Sequence, residues 1–319
     1  MRRLFAGAHY DFLGWRRRAY LFSGSALAVG LVFALVWQFT RGSWLNYGVD
    51  FLGGTLVQVQ FAKDTDVTQL RDAINPAFPG VEITRFGQSN EFLIRTPVSG
   101  EATSGAAEQI PSILTARFGE GSFTIEQVEA VGAKVGGELQ ARAMLAILLS
   151  FAATLIYLAF RFEWRFGLAA VIATAHDIFL TMAFISGFRL EVALPTVAAV
   201  LTIVGYSLND TIVIFDRIRE NIKISGRREE FTSILNRSIN ETLPRTILTV
   251  ATTLATLITL FLFGGEIIRD FALIMIVGIV LGTYSSIFVA APALRIIEER
   301  WPGERKKVRT ARPTAKAAV

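Results

Sequence analysis

Six apolar runs, each close to the length that crosses a bilayer, limit what this chain can fold into: residues 19–39, 139–160, 166–188, 192–215, 244–264 and 270–293. A helical crossing of the hydrocarbon core takes about 20 mainly apolar residues. Six such runs in 319 residues leave too little polar sequence to cover them in water. The composition agrees, with 52% of residues hydrophobic and 18% charged, against roughly 25% charged in soluble domains. Cysteine is absent, which excludes disulfides, thiolate catalysis and Cys-ligated zinc or iron–sulfur sites.

The basic residues fall on alternate sides of these runs. Arg2, Arg3 and Arg16 to Arg18 precede the first, and Arg161 and Arg165 separate the second from the third. Arg217, Arg219, Lys223, Arg227, Arg228 and Arg237 fill the connection between the fourth and fifth, and Arg295, Arg300, Arg305 to Lys307, Arg309, Arg312 and Lys316 follow the sixth. The positive-inside rule then predicts both termini in the cytoplasm. The first run is about 21 residues long and leaves through FTRGSW, so it reads as an uncleaved anchor and not as a signal with a small-residue cleavage site.

One large segment, residues 41–134, interrupts the apolar pattern. It carries 11 acidic and 7 basic residues, a net −4, while the rest of the chain is +9. The excess positive charge is therefore membrane-proximal, and no nucleic-acid partner is implied. GTLVQVQF (54–61) alternates as a strand, DVTQLRDAIN (66–75) carries a helix start, and VEITRF and EFLIRTP flank a turn at Gly87 to Asn90. A helix over 105–118 and the strand FTIEQVEAV (123–131) complete a β-α-β-β-α-β order, the ferredoxin-like motif. That fold hosts many activities and names none. The expected division is 1–40 for the cytoplasmic N-terminus and first span, 41–134 for an extracytoplasmic α+β domain, 135–297 for five spans, and 298–319 for a basic cytoplasmic tail near anionic lipid.

Polar residues inside the spans carry the chemistry. Asp177 is central in the third run with Thr174 and Thr181 on its side, while the adjacent His176 is expected to point elsewhere. Ser207, Asp210 and Thr211 share a face of the fourth run. Thr242, Thr246, Thr249, Thr253 and Thr256 repeat along the fifth, with Arg245 at the edge of the stripe. A charged group in the hydrocarbon core costs roughly 2.5–3.5 kcal/mol or more and is usually kept for function. If the fourth helix starts near Val192, Asp210 lies about 27 Å along it, near the inner boundary, where a snorkelling residue is the plain alternative. Two acids, a base and a hydroxyl track could hold water and pass protons; close helix packing explains the Thr stripe equally well. Gly278, Gly282 and Ser286 read as a small-residue packing ridge. No cofactor is expected: nucleotide-binding loops are absent, His9 and His176 make no ligand cluster, and no serine has a candidate base.

Five strings in this order, VDFLGGT (49–55), VGAKVGGEL (131–139), FRFEWRFGLAAVIATAHD (160–177), GYSLNDTIVIFDRIREN (205–221) and NRSINETLPRT (236–246), resemble the SecF family of the bacterial Sec translocon. The resemblance implies an α-helical membrane protein with six transmembrane helices, half of an RND-type bundle, plus a small α+β ferredoxin-like extracytoplasmic domain. It also implies a multi-pass protein of the bacterial cytoplasmic (inner) membrane that is not an enzyme but a proton-gradient-driven transport component. Its implied partners are SecD, indirectly the SecYEG channel and SecA, then YajC, the translocating unfolded polypeptide, and protons. Asp210, Arg245 and Asp177 become the proton-transfer residues, Ser207, Asn209, Thr211, Thr246, Thr249 and Thr253 a supporting polar face, and Asp50, Phe51, Gly53, Gly54 and Thr55 the family motif beside the outer domain. Two other classes use parts of the same pattern. An RND-like small-molecule or lipid exporter would need both bundle halves and a larger outer region, and a passive assembly scaffold would need none of the three ionisable residues.

Overall fold

The computed structural model describes residues 9–85, 90–96, 103–225 and 229–302. The turn at Gly87, the arginines at 2, 3, 227 and 228 and the basic tail lie outside them. In chain order the elements are α1 (Arg16–Arg41), β1 (Asn46–Tyr47), α2 (Val49–Leu52), β2 (Gly54–Phe61), α3 (Val67–Ile74), β3 (Glu82–Arg85), β4 (Glu91–Thr96), α4 (Thr103–Phe118) and β5 (Phe123–Val131). They continue with α5 (Ala133–Arg161), α6 (Trp164–Gly187), β6 (Glu191–Val192), α7 (Leu194–Ser225), α8 (Phe231–Phe263), α9 (Gly265–Ser285), a π-turn at Ser286–Ala290, and α10 (Ala291–Arg300). Pro292 stands two residues past the end of the π-turn. Proline lacks a backbone N–H and crowds the preceding turn, and a widened turn is one way a helix absorbs it.

Among the described residues six stretches are long and apolar enough to cross a membrane: Leu13–Arg41, Lys134–Arg161, Trp164–Gly187, Leu194–Ser225, Phe231–Phe263 and Ile268–Arg300. They overlie the six apolar runs, but α7 runs ten residues beyond the end of its run and α8 begins thirteen before the start of its own. Side-chain bonding explains both extensions. On α7, Arg217 pairs with Glu220 at 2.5 Å and with Glu241 of α8 at 2.6 Å. Asn221 donates to Ser238 (3.0 Å) and Glu241 (2.7 Å) across the same seam. These polar turns are stabilised by each other, so hydropathy does not mark them. The lengthened α7 puts Asp210 sixteen residues from Leu194 in a 32-residue helix, about 24 Å along it, and so at its middle.

The strands β2 to β5 form an antiparallel sheet in the order β3-β4-β2-β5, with Val57 opposite Ile94 on one side and Val128 on the other. The elements from 54 to 131 follow the β-α-β-β-α-β sequence. Val57, Val59, Phe61, Phe92 and Ile94 bury one sheet face against Leu70 and Ile74 of α3 and Ile110 and Leu114 of α4. Fully burying such a side chain is worth about 1.5–3 kcal/mol. Asp66 caps α3 by accepting from Thr68 N at 3.0 Å, and that backbone bond holds its carboxyl below the usual carboxylate range.

The sheet unit is tied to one end of the helix bundle. β1 pairs in parallel with β6, the segment between α6 and α7. Arg95 of β4 forms an ion pair with Glu191 of β6; burial pushes the Glu191 carboxyl above its ordinary value and the guanidinium opposes that. Asp50 Oδ2 accepts from Leu194 N at 2.8 Å and so caps the first turn of α7.

Candidate functional site

Four elements meet around the two buried acids, with α8 bringing Thr246. α6 brings Asp177, α7 brings Ser207 and Asp210, and the end of α9 with the π-turn brings Ser285 and Ser286. Close approach of α7 and α9 depends on the small-residue ridge. A Cβ on Gly278 would collide with the Ile203 side chain, and one on Gly282 would stand 2.9 Å from Ser207 Cβ and 3.2 Å from its Cα. Gly282→Ala is therefore expected to push α9 off α7 at the level of Ser207. Overpacking of this kind costs about 1–3 kcal/mol, which a lowered melting temperature of the purified protein would report. An unchanged melting temperature would show that the seam has room.

Asp177 is 1% exposed, and its carboxyl is fully engaged. Oδ2 accepts from the hydroxyls of Ser207 and Ser285, the second at 2.7 Å. Oδ1 lies 3.0 Å from His176 Nδ1. This corrects the expectation that His176 points elsewhere: adjacent helical residues do leave in different directions, but the imidazole reaches back to its neighbour. The threonines chosen as its companions do not bind it. Thr174 donates to the Ala170 carbonyl at 3.0 Å, and Thr181 Oγ1 is buried with no partner among the described residues.

Asp210 is only half satisfied. It is 6% exposed; Oδ1 accepts from Thr246 Oγ1 of α8 at 3.0 Å, and Oδ2 has no hydrogen-bond partner among the described residues. Ser286 lies against the same carboxyl, with its hydroxyl donating to the Thr283 carbonyl at 2.9 Å. Thr211 is buried beside it on α7. Arg245, one residue before Thr246, acts on Asp210 through space, but no ion pair within 4 Å joins them among the described residues. Its side chain is exposed.

The remaining candidates separate into two groups. Asn209 is exposed and stands off the buried face. Along α8 only Thr242 and Thr246 are buried; Thr249 and Thr256 are exposed, and Thr253 is half-buried with its hydroxyl donating to the Thr249 carbonyl and accepting from Tyr206. Thr242, Thr249 and Thr256 also bond carbonyls of their own helix. Beyond Thr246 the stripe therefore runs along a surface and does not form a channel enclosed by this chain. The buried Ser285 and Ser286 and the partly buried His176 are the polar groups around Asp177 and Asp210 that sequence reading left out of the site. The signal that could have found them is that a midpoint acid is costly unless neighbouring polar groups pair with it.

The motif residues build the joint between sheet and bundle. Phe51 is buried in an apolar cluster that also holds residues of α7 and α9, and its ring stands edge-on to Tyr47. Gly53 and Gly54 adopt φ of 75° and 130°, and a Cβ on Gly54 would strike the Thr96 carbonyl. Thr55 is buried at the start of β2 and its carbonyl accepts from Thr96 Oγ1 at 3.4 Å. With Asp50 capping α7, this segment positions α7 and so Asp210, without touching the acid.

Residues 112–300 match the family described as "Protein export membrane protein SecD/SecF, C-terminal", and residues 42–65 match the "SecD/SecF GG Motif". The protein translocase subunit SecF of Gemmatimonas aurantiaca is 47% identical over 309 residues, covering 95% of this chain and 91% of that one. The chain belongs to the SecF family. The SecF subunit of Magnetococcus marinus is 44% identical over 304 residues, with 94% of each chain covered. Among solved structures, the crystal structure of SecDF from Thermus thermophilus, a translocon-associated membrane protein, superposes with a TM-score of 0.78 at 38% identity over 92% of this chain. This SecF-family chain spans 39% of the length of that SecDF chain. A super-membrane-facing form of SecDF matches with a TM-score of 0.64 at 37% identity.

Proposed function

We propose that this SecF-family chain pairs with SecD in the bacterial inner membrane and uses the proton gradient to promote late translocation of secreted polypeptides. The observation that carries the proposal is the pairing of an unsatisfied acid with an uncovered base. Among the described residues Asp210 Oδ2 is buried without a partner, and the neighbouring α8 presents Arg245 and a row of threonines on an exposed surface. An arginine and hydroxyls at mid-helix are costly against lipid. A second helix bundle laid on α8 would cover them and leave a wet polar seam in which protons can move. α5 also leaves most of its apolar surface uncovered, with Met144, Leu145, Leu148 and Leu149 all exposed.

The relatives named as translocase subunits and the SecDF structure support the same assignment. In this reading the sheet unit is a ferredoxin-like domain outside the cell, both termini are cytoplasmic, and the division at about 40, 134 and 297 follows. SecYEG, SecA and YajC are the further components with which the SecD pair works on an unfolded polypeptide. The chain supplies motion from proton transfer through Asp210, Arg245 and Asp177, and it catalyses no bond-breaking reaction.

Affinity purification of the tagged chain from bacterial membranes, with and without SecD, tests the proposal. The expected result is a single complex on blue-native gels that contains SecD and is required for secretion. A stable, secretion-competent complex lacking SecD would contradict it.

A further inference from the structure

A chain of side-chain hydrogen bonds leads from Asp177 into α1. His176 Nδ1 is 3.0 Å from Asp177 Oδ1, and His176 Nε2 is 3.0 Å from Ser23 Oγ of α1. Ser23 Oγ is 3.0 Å from the Tyr284 hydroxyl, which itself donates to the Ala19 carbonyl at 2.7 Å. The Tyr284 ring stacks on the imidazole at 6.2 Å and 27°. Asp177 and Ser23 are buried, and His176 and Tyr284 are partly buried.

The directions of these bonds fix every proton except one. A phenol has a single proton and a carbonyl only accepts, so Tyr284 gives its proton to Ala19 and must accept from Ser23. Ser23 has then spent its own proton and must accept from His176, which places a proton on Nε2. The other side of the ring faces a carboxylate oxygen that is not bonded by either serine, and a bond there needs one more proton, either on Nδ1 or on Oδ1. Without it, two lone pairs face each other at 3.0 Å. Removing that proton favours the other tautomer, with Nδ1–H bonded to Asp177 and Nε2 bare; Ser23 then donates to the ring and releases Tyr284.

We propose that His176 and Asp177 form a proton-binding pair separate from Asp210, and that its occupancy sets, through Ser23, how α1 is held on the bundle. The groups facing the pair are Ser23 from α1, Ser207 from α7, and Ser285 and Tyr284 from α9. Its use in export rests on the proton-driven reading above; the pair itself rests on the bond directions.

The chain has two histidines, His9 and His176, so His9→Gln leaves one imidazole to observe. Nitrogen NMR of that protein, labelled with ¹⁵N-histidine and assembled with SecD in bilayers, follows the ring between about pH 5 and 8, where histidine ordinarily titrates. The expected result is a titration of Nδ1 whose midpoint moves by at least about one pH unit, a tenfold change in proton affinity, in Asp177→Asn and stays in place in Asp210→Asn. Spin labels on α1 and α6 are expected to change separation through the same midpoint, and in Ser23→Ala to lose that dependence while the ring still titrates. Asp177→Glu takes the place of Asp177→Asn if the latter fails to accumulate. A ring fixed in one protonation state across this range, or a midpoint indifferent to Asp177, overturns the proposal. Failure of the proton-driven reading would appear instead as full secretion by Asp210→Asn and would leave the titration intact.

Discussion

Asparagine in place of Asp210 is expected to abolish the proton-gradient-stimulated part of secretion while the protein inserts, accumulates and binds SecD normally. The amide keeps the shape of the carboxyl and can still accept from Thr246 Oγ1, so the α7–α8 contact survives. What disappears is the group that gains and loses a proton. The effect should be large because one elementary charge moved across 100 mV is worth about 2.3 kcal/mol, roughly a forty-fold bias on a two-state movement. Secretion into membrane vesicles with and without an imposed gradient, at matched protein level, measures it. Full stimulation in the Asn variant would reduce Asp210 to a buried polar residue of no special role.

Arg245 should behave differently from an anchor. It lies fourteen residues from the start of a 33-residue helix, about 21 Å along it, and is exposed with no ion pair among the described residues. Arg245→Ala removes a charge from the edge of the apolar run 244–264, so insertion should not suffer. Activity is nevertheless expected to be lost, because the one cation acting on Asp210 has gone. Arg245→Lys keeps the charge but not the planar, multidentate guanidinium, and should retain part of the activity with a displaced pH profile. If the lysine protein gives a full-height, unshifted profile of secretion against pH, Arg245 is an interfacial anchor.

Much of this architecture was legible because bilayers impose simple lengths. The six spans and the strands and helices between 54 and 131 fall where hydropathy and alternation predict them. The helix ends were not legible where polar side chains bond one another, as Arg217, Asn221 and Glu241 do between α7 and α8. Asp177 and Asp210 could be chosen because buried carboxylates are rare, and the helical period brought in Ser207 and Thr246, which do bond them, but the partners on α9 and the neighbouring imidazole could not. Ser285 and Ser286 stand at the start of a π-turn, where the 3.6-residue period that assigns faces no longer applies. His176 escaped because periodicity describes Cβ directions and says nothing of a ring that folds back on its neighbour. The threonine stripe was ambiguous for a deeper reason: one chain's sequence does not state whether a polar helix face meets its own bundle or another's.

The most direct test is proton flux itself. A pH-sensitive dye trapped in vesicles containing this chain with SecD and an engaged polypeptide should report acidification down an imposed gradient, and Asp210→Asn at equal protein density should report none. Equal flux through the two proteins would contradict the claim that Asp210 carries the proton.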